Sequence, residues 1–300
     1  MKVLTIGPTQ SASTPESEER RRLQAVQVES YAVLTPRSVE GKIAAMLRIV
    51  REGRRQEFDT VSAQDPFFAG LIAWNLARRT GARLNVQVHT DLAAQPWWRR
   101  ALAQIVLRRA NSVRTVSEKI KKQVEALGVR TPIAVLPVYV DVSRFKGLTR
   151  RPEQMVLWIG RFEHEKDPLC ALDVIAHVPD AKLVMLGAGR LEATLKEKAK
   201  SLPVEFPGWQ DPLPYLARAG VVLSTSRHES YGVSIVEALA AGVPVVAPDV
   251  GIARQAGAVV VPRDQLAEAV KKTLHSGVSG VLKLDLLSRE EWTTAWQKTL

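Results

Sequence analysis

Short β-branched runs alternate with amphipathic segments along the whole chain, and nothing else in the sequence constrains the fold as strongly. A short apolar run followed by a segment of helical periodicity is the pattern of βαβ units, which build parallel sheets. In the first half the runs fall at residues 3–6, 31–34, 58–62, 84–88, 113–116 and 133–136. GKIAAMLRIVREG, FFAGLIAWNLARRTG and SEKIKKQVEALG read as helices between them. The last opens on Ser117, suited to cap a helix start, and stops at Gly128, suited to end one. A second series runs through MVLWIG, AKLVMLGAG, VEFPGW, VVLSTS, PVVAP and AVVVP, with LCALDVIAHV and LEATLKEKAKS between its strands.

The polar, basic stretch RFKGLTRRPEQ separates the two series, with Gly147 and Pro152 breaking any periodicity. The expectation is α/β: two Rossmann-like, doubly wound domains, residues 1–146 and 147–285. A closing helix, 286–300, places Trp292 and Trp296 on one face, which suits docking, including a return to the first domain. At 300 residues and 46% hydrophobic content the chain can fill two cores. Tandem doubly wound domains imply a ligand cleft at the carboxyl ends of their strands.

Other features narrow the classes. Cys170 is the single cysteine, so an intrachain disulfide and a cysteine-based metal site are excluded. No apolar run reaches the roughly 20 residues that span a bilayer, and MKVLTIGPTQ is too short in apolar residues for a secretory signal, so a cytoplasmic location is expected. The net charge of +11 is uneven: residues 1–150 carry 25 Lys+Arg against 13 Asp+Glu, and residues 151–300 carry 17 against 18. A basic first domain suits an anionic partner, whether a membrane surface, a phosphorylated acceptor or nucleic acid, or is a merely solubilising surface. PWWRRALAQIVLRRA puts Trp97, Trp98, Ala101, Leu102, Ile105 and Val106 on one side of a helix, with Arg99 and Arg100 off it. That pattern fits peripheral contact with an anionic membrane, or an ordinary core-facing helix. No nucleic-acid module is recognisable, and nucleic acid is not expected as a partner.

Chemistry concentrates in RHESYGVSIVEALAAG, where Glu229 and Glu237 stand eight residues apart. Glu237 lies in an apolar helix, where a carboxylate must be exposed, paired or used. Glu229 lies in a loop at the carboxyl end of VVLSTS, and Tyr231 precedes a helix start at Gly232, Val233 and Ser234 whose amides suit phosphate. One ligand could engage all of these, or Glu229 is a surface residue and Glu237 an ion-pair partner. WIGRFEHEKDP supplies Gly160, Arg161 and Lys166 after another strand, either as cations for a diphosphate or as part of a solvated charge run. The glycine-rich turn LGAGR contributes Gly187 and Gly189 and is weak alone. In the first domain, His89 ends the strand VQVH, while Thr9, Gln64 and Asp65 are candidates for the acceptor side.

Read together, the GRF-type loop, L-G-x-G and HESYGxxxxEALAAGVPVV resemble the retaining, nucleotide-sugar-dependent glycosyltransferases of the GT-B fold, family 4 or group 1 type. The resemblance implies two Rossmann-like domains facing a central cleft and transfer of a sugar from a nucleotide-diphosphate donor to an acceptor hydroxyl. By that resemblance Glu229 contacts sugar hydroxyls, Glu237 the ribose, and Arg161 and Lys166 the diphosphate. The turn at Gly187 to Gly189, with Gly208, lies near the nucleotide, and His89 approaches the donor sugar. The leaving phosphate itself takes the acceptor proton. The chain has no Asp-x-Asp triplet, so metal independence is expected, and no cofactor is expected because the nucleotide sugar is a substrate. The acceptor, whether a glycan, a lipid-linked group or a small molecule, is left open. Family members carry a glycine-rich loop after the first strand, whereas here Gly7 is followed by PTQSASTPESEERRR, which implies a remodelled acceptor side. A non-catalytic nucleotide-sugar-binding protein and a sugar-nucleotide epimerase of the same fold are the alternatives.

Overall fold

The computed structural model describes all of the 300 residues except 8–21, 26–27, 29, 35–40 and 56. It comprises two compact units, Met1–Tyr139 with Leu287–Leu300, and Val140–Leu286.

In the first unit β1 (Lys2–Ile6), β2 (Ser30–Leu34), β3 (Thr60–Ala63), β4 (Arg83–Val88), β5 (Ser112–Thr115) and β6 (Ile133–Val135) form one sheet in the order β2-β1-β3-β4-β5-β6. Every pairing is parallel. From β2 onward each connection advances in the same direction across the sheet. Right-handed crossovers therefore lay α1 (Lys42–Gly53), α2 (Phe68–Thr80), α3 (Trp97–Leu107) and α4 (Glu118–Ala126) on one face. The caps expected for α4 form: Ser117 Oγ accepts from Ile120 N, and Gly128 adopts φ 72°.

Strand alternation sends Val3 and Leu4 to opposite faces. Leu4 lies under α1, beside Gly53, whereas Val3 joins Leu23, Leu136, Trp292, Trp296 and Leu300 in a separate cluster. That cluster belongs to the C-terminal helix (Arg289–Lys298), which opens on a Ser288–Glu291 capping box. Trp292 Nε1 donates to Pro137 O at 2.8 Å.

The surface of α3 departs from the expected single apolar side. Ala103, Val106 and Leu107 are buried, while Trp97, Trp98, Ala101 and Ile105 are exposed. The helix carries two apolar stripes, and only the one opposed to Gly70 of α2 meets the core.

The second unit has β7 (Met155–Ile159), β8 (Lys182–Leu186), β9 (Val204–Gly208), β10 (Val221–Leu223), β11 (Val245–Ala247) and β12 (Val259–Val260), parallel in the order β12-β11-β10-β7-β8-β9. β7, β8 and β9 advance one way, and β10, β11 and β12 the other. Consequently α5 (Pro168–Ile175) and α6 (Glu192–Lys198) cover the face opposite α8 (Val233–Ala240). Between them in the chain lies the short α7 (Leu213–Leu216); α9 (Ala253–Ala256) and α10 (Leu266–Ser276) complete the unit. Trp158, Phe162, Met185, Leu195, Leu223 and Val270 are among the residues of its core. All twelve runs read from the sequence contain strands. Among the described residues no helix is long and apolar enough to cross a membrane.

Trp296 is fully buried. Its replacement by alanine should cost roughly 3–5 kcal/mol in urea unfolding, whereas exposed Val278→Ala should stay within about 0.5 kcal/mol.

Candidate active site

Reversal of strand order in the second unit falls between β7 and β10, which are adjacent. At such a switch point the two following helices leave on opposite faces, and the crevice outside the strand ends is where open α/β sheets bind ligands. The loops that flank it are 160–167 and 224–232, and these carry Gly160, Arg161, Lys166, Glu229, Tyr231 and Gly232 of the residues singled out from the sequence.

Lys166 Nζ and Glu229 Oε1 form an ion pair across this point, with both side chains largely shielded. Ser226 Oγ donates to the same carboxylate oxygen at 3.0 Å. The backbones are tied beneath the pair. Thr225 Oγ1 accepts from Trp158 Nε1 at 2.9 Å and faces Lys166 O at 3.0 Å and Asp167 O at 2.9 Å. Arg227 N donates to Glu165 O at 2.9 Å. Asp167 sits in the left-handed region at φ 46°, and its Oδ2 accepts from Arg227 Nε at 2.8 Å and Arg263 Nη2 at 2.6 Å. Arg263 Nη1 reaches Thr225 O at 2.6 Å. Sequence reasoning missed Arg263; its only signal was an arginine directly after the strand AVVVP. Arg161 takes a different course from Lys166: its Nη2 pairs with Glu165 Oε1 at 2.6 Å, and it remains exposed.

The glycines account for how closely these loops approach. Gly160 N donates to Leu186 O and Gly187 N to Gly208 O, both at 3.0 Å, so Gly160 and Gly187 continue the ladder past the ends of β7 and β8, to Gly208 at the end of β9. A Cβ on Gly187 would run into Gly160 O, and one on Gly189 would lie 2.6 Å from Phe162 O. Only glycine fits there. Arg190 braces the same turn against Glu163 and holds that carboxyl below its ordinary range. Trp209 follows Gly208 and is exposed, an aromatic surface at the strand ends that the sequence reading passed over.

Helix α8 opens on Gly232 at φ 108°. Val233, Ser234, Glu237 and Ala240 form its half-buried stripe, while Ile235, Val236, Ala238 and Leu239 are buried. Glu237 thus stands on the helix edge, one turn from the amino terminus, where outward amides and the helix dipole favour an anion. Tyr231 is buried, its hydroxyl pushed up to about 12 by loss of solvent, and its carbonyl accepts from Ile252 N at 3.0 Å.

In the first unit the switch point falls between β1 and β3, with Gln64 and Asp65 in the loop after β3. Thr9 lies outside the described residues. Asp65 Oδ1 accepts from Phe67 N at 2.7 Å, and burial raises its carboxyl above the usual value. His89 follows β4, its Nε2 3.3 Å from Gln87 Oε1. Behind it runs a polar chain: Arg114 Nη1 to Gln87 Oε1 at 2.8 Å, Gln87 Nε2 to Ser62 Oγ at 3.0 Å, and Ser62 Oγ to Asn85 Oδ1 at 2.8 Å.

Fold and strand-end loops define a protein of two Rossmann-like units, the GT-B class. Residues 3–144 match the family model described as Glycosyltransferase Family 4, and residues 153–276 the one described as Glycosyl transferases group 1. A GDP-mannose-dependent alpha-(1-6)-phosphatidylinositol dimannoside mannosyltransferase of Mycobacterium tuberculosis is 31% identical over 42% of this chain and 38% of its own length. A 2-deoxystreptamine glucosyltransferase of Streptomyces kanamyceticus is 30% identical over 69% of this chain and 64% of its own. The chain spans less than half the length of the mycobacterial relative. Among solved structures, Anabaena Alr3699/HepE in complex with UDP and glucose superposes with a TM-score of 0.77 at 16% identity, covering 100% of this chain and 95% of that one. Fold and family matches together support placing the chain among the GT-B glycosyltransferases.

Gly187→Ala should disrupt the strand-end loops and lower the melting temperature, since backbone rather than a yielding side chain occupies the space. For Asp65 the sign follows from its raised value. Above the unfolded-state value the native state carries the cost of a buried carboxylate, so Asp65→Asn should raise the urea midpoint at neutral pH. That advantage should vanish as pH falls below the ordinary carboxyl value of 3.8, where both states are protonated.

Proposed function

We propose that the chain moves a sugar from a nucleotide-diphosphate sugar to an acceptor hydroxyl, with retention of anomeric configuration and without a metal ion. The observation that carries this reading is the shielded Lys166–Glu229 pair at the switch point, beside the amino terminus of α8. Departure of the diphosphate is the difficult event, and fixed positive charge aimed at it is the effective remedy. Lys166, Arg161 and the first amides of α8 supply that charge. Glu229 receives sugar hydroxyls and Glu237 the ribose diol. Gly208 and the exposed Trp209 border the base. His89 is assigned to the donor sugar by the family resemblance, and Gln64 and Asp65 to the acceptor. The leaving phosphate takes the acceptor proton, so no separate base is required of the protein.

The matched relatives include a GDP-mannose-dependent mannosyltransferase and a glucosyltransferase, and a structural neighbour binds UDP and glucose. GDP-mannose and UDP-glucose are therefore the first donors to test, by thermal shift and by release of nucleoside diphosphate. Glu229→Gln should lower kcat/KM about a hundredfold, the scale of losing one fixed transition-state contact. Glu237→Gln should raise the donor KM and leave the melting temperature unchanged. Turnover should survive EDTA, and the product anomer should match that of the donor. If neither these donors nor ADP-glucose shifts melting or is consumed, the reading fails.

A further inference from the structure

We propose that the α1–α2–α3 layer of the first unit docks on a lipid bilayer that carries anionic headgroups. The three helices lie on one face of the sheet, with α2 in contact with both neighbours, so their outer sides form one continuous surface. On it Trp97 is 80% exposed, Leu47 66%, Trp98 54% and Ile105 44%. Single exposed apolar residues are ordinary, but four on one helix layer, two of them tryptophan, have the character of an interfacial anchor.

The charge of this surface is predominantly positive. Helices α2 and α3 and the residues that end them carry Arg78, Arg79, Arg99, Arg100, Arg108 and Arg109 and no acid, and the connection between the two helices has a single one, Asp91. That aspartate is buried and occupied locally by Lys119 at 3.0 Å and Gln123 at 2.8 Å. The arginines meet rings and neutral oxygens: Arg99 lies 4.0 Å over Phe67, Arg109 lies 4.5 Å over Trp74, and Arg79 Nε donates to Asn75 Oδ1 at 2.9 Å. Such contacts fix the guanidinium groups, and of the three only Arg99 also faces a carboxylate, that of Asp65. On α1, Glu52 is engaged by Arg48 at 2.9 Å. Between α1 and α2 runs an open groove of about 530 Å³, with Leu47 and Val50 as apolar lining and Arg51, Arg54 and Arg79 as cations. An apolar wall beside three guanidinium groups matches a phosphate headgroup and the first methylenes of its acyl chains. Charge alone would serve an RNA equally well, but the exposed tryptophans and Leu47 match hydrocarbon and give no base-reading pattern.

No residue of the proposed sugar-transfer site takes part, so the test needs neither donor nor acceptor. The full chain is sedimented with vesicles of pure phosphatidylcholine and of equimolar phosphatidylcholine and phosphatidylglycerol. Binding is expected only to the anionic vesicles, and salt should weaken it. The variant Arg51→Gln/Arg54→Gln/Arg79→Gln should bind about a hundredfold less tightly, on the basis of roughly fivefold per arginine. Trp97→Ser/Trp98→Ser should reduce binding at high salt as well as low. All five side chains are exposed, and circular dichroism will report whether each variant is folded. Equal binding to neutral vesicles, undiminished binding by both folded variants, or tighter binding to single-stranded RNA than to anionic vesicles would overturn the proposal.

Discussion

Right-handed crossover is the constraint on which the second unit depends. Because β7 is followed by α5 on one face and β10 by α8 on the other, the loops leaving these adjacent strands diverge and open a crevice. A crevice that only diverged would leave its walls loose. Here Thr225, Asp167 and Arg263 bind the loops to each other. The left-handed backbone of Asp167 is one cost of that arrangement, tolerable because aspartate visits this region more readily than most residues and its carboxylate is engaged by two guanidinium groups.

The first unit solves a different problem with polar groups. Parallel strands covered on both faces are normally apolar throughout, yet β3, β4 and β5 carry Ser62, Asn85, Gln87 and Arg114 at buried positions. Each is satisfied by its neighbours across the strands, and Arg114 also donates to Leu136 O and Pro137 O at 3.0 and 2.9 Å. The C-terminal helix closes this side. Trp292 shares the Pro137 carbonyl and lies within 5.3 Å of the Arg114 guanidinium, and Thr299 O accepts from Asn85 Nδ2 at 2.8 Å. Burying polar groups costs least when every partner is supplied, and a helix brought from the far end of the chain supplies several of them.

These two cases show what a sequence discloses and what it withholds. Strands were legible because β-branched runs such as VVLSTS and PVVAP have no other stable use at that length, and Gly187 and Gly189 were legible because glycine pairs after a strand mark close approach. Partner choice was not legible. Arg161 and Lys166 look equivalent in WIGRFEHEKDP, yet Arg161 turns to Glu165 one helical turn away while Lys166 reaches Glu229, 63 residues on. Local charge pairing is written in spacing, whereas long-range pairing is decided by which strands become neighbours. Arg114 was invisible for the same reason, since SVRTV reads as a strand with one misplaced charge until β4 and β6 are set beside it. The two stripes of α3 failed in another way, because helical spacing identifies apolar positions and says nothing of which set meets the core.

The Lys166–Glu229 pair then acquires a physical meaning beyond proximity. Shielding two charges from water costs free energy that their mutual attraction seldom returns in full, so such a pair is weak evidence of a purely structural purpose. The fold could have closed this corner with apolar residues, as it does around Trp158 and Phe162 nearby. Under the proposed function the pair holds both groups in place for the ligand. A diphosphate then competes for the ammonium, and the carboxylate, with Ser226 still donating to it, becomes available to hydroxyl donors. One ligand with an anionic and a hydroxylated end satisfies both halves at once. A ligand with only one of these ends would leave the other charge shielded and uncompensated, and under the proposed function that difference in cost is a source of selectivity.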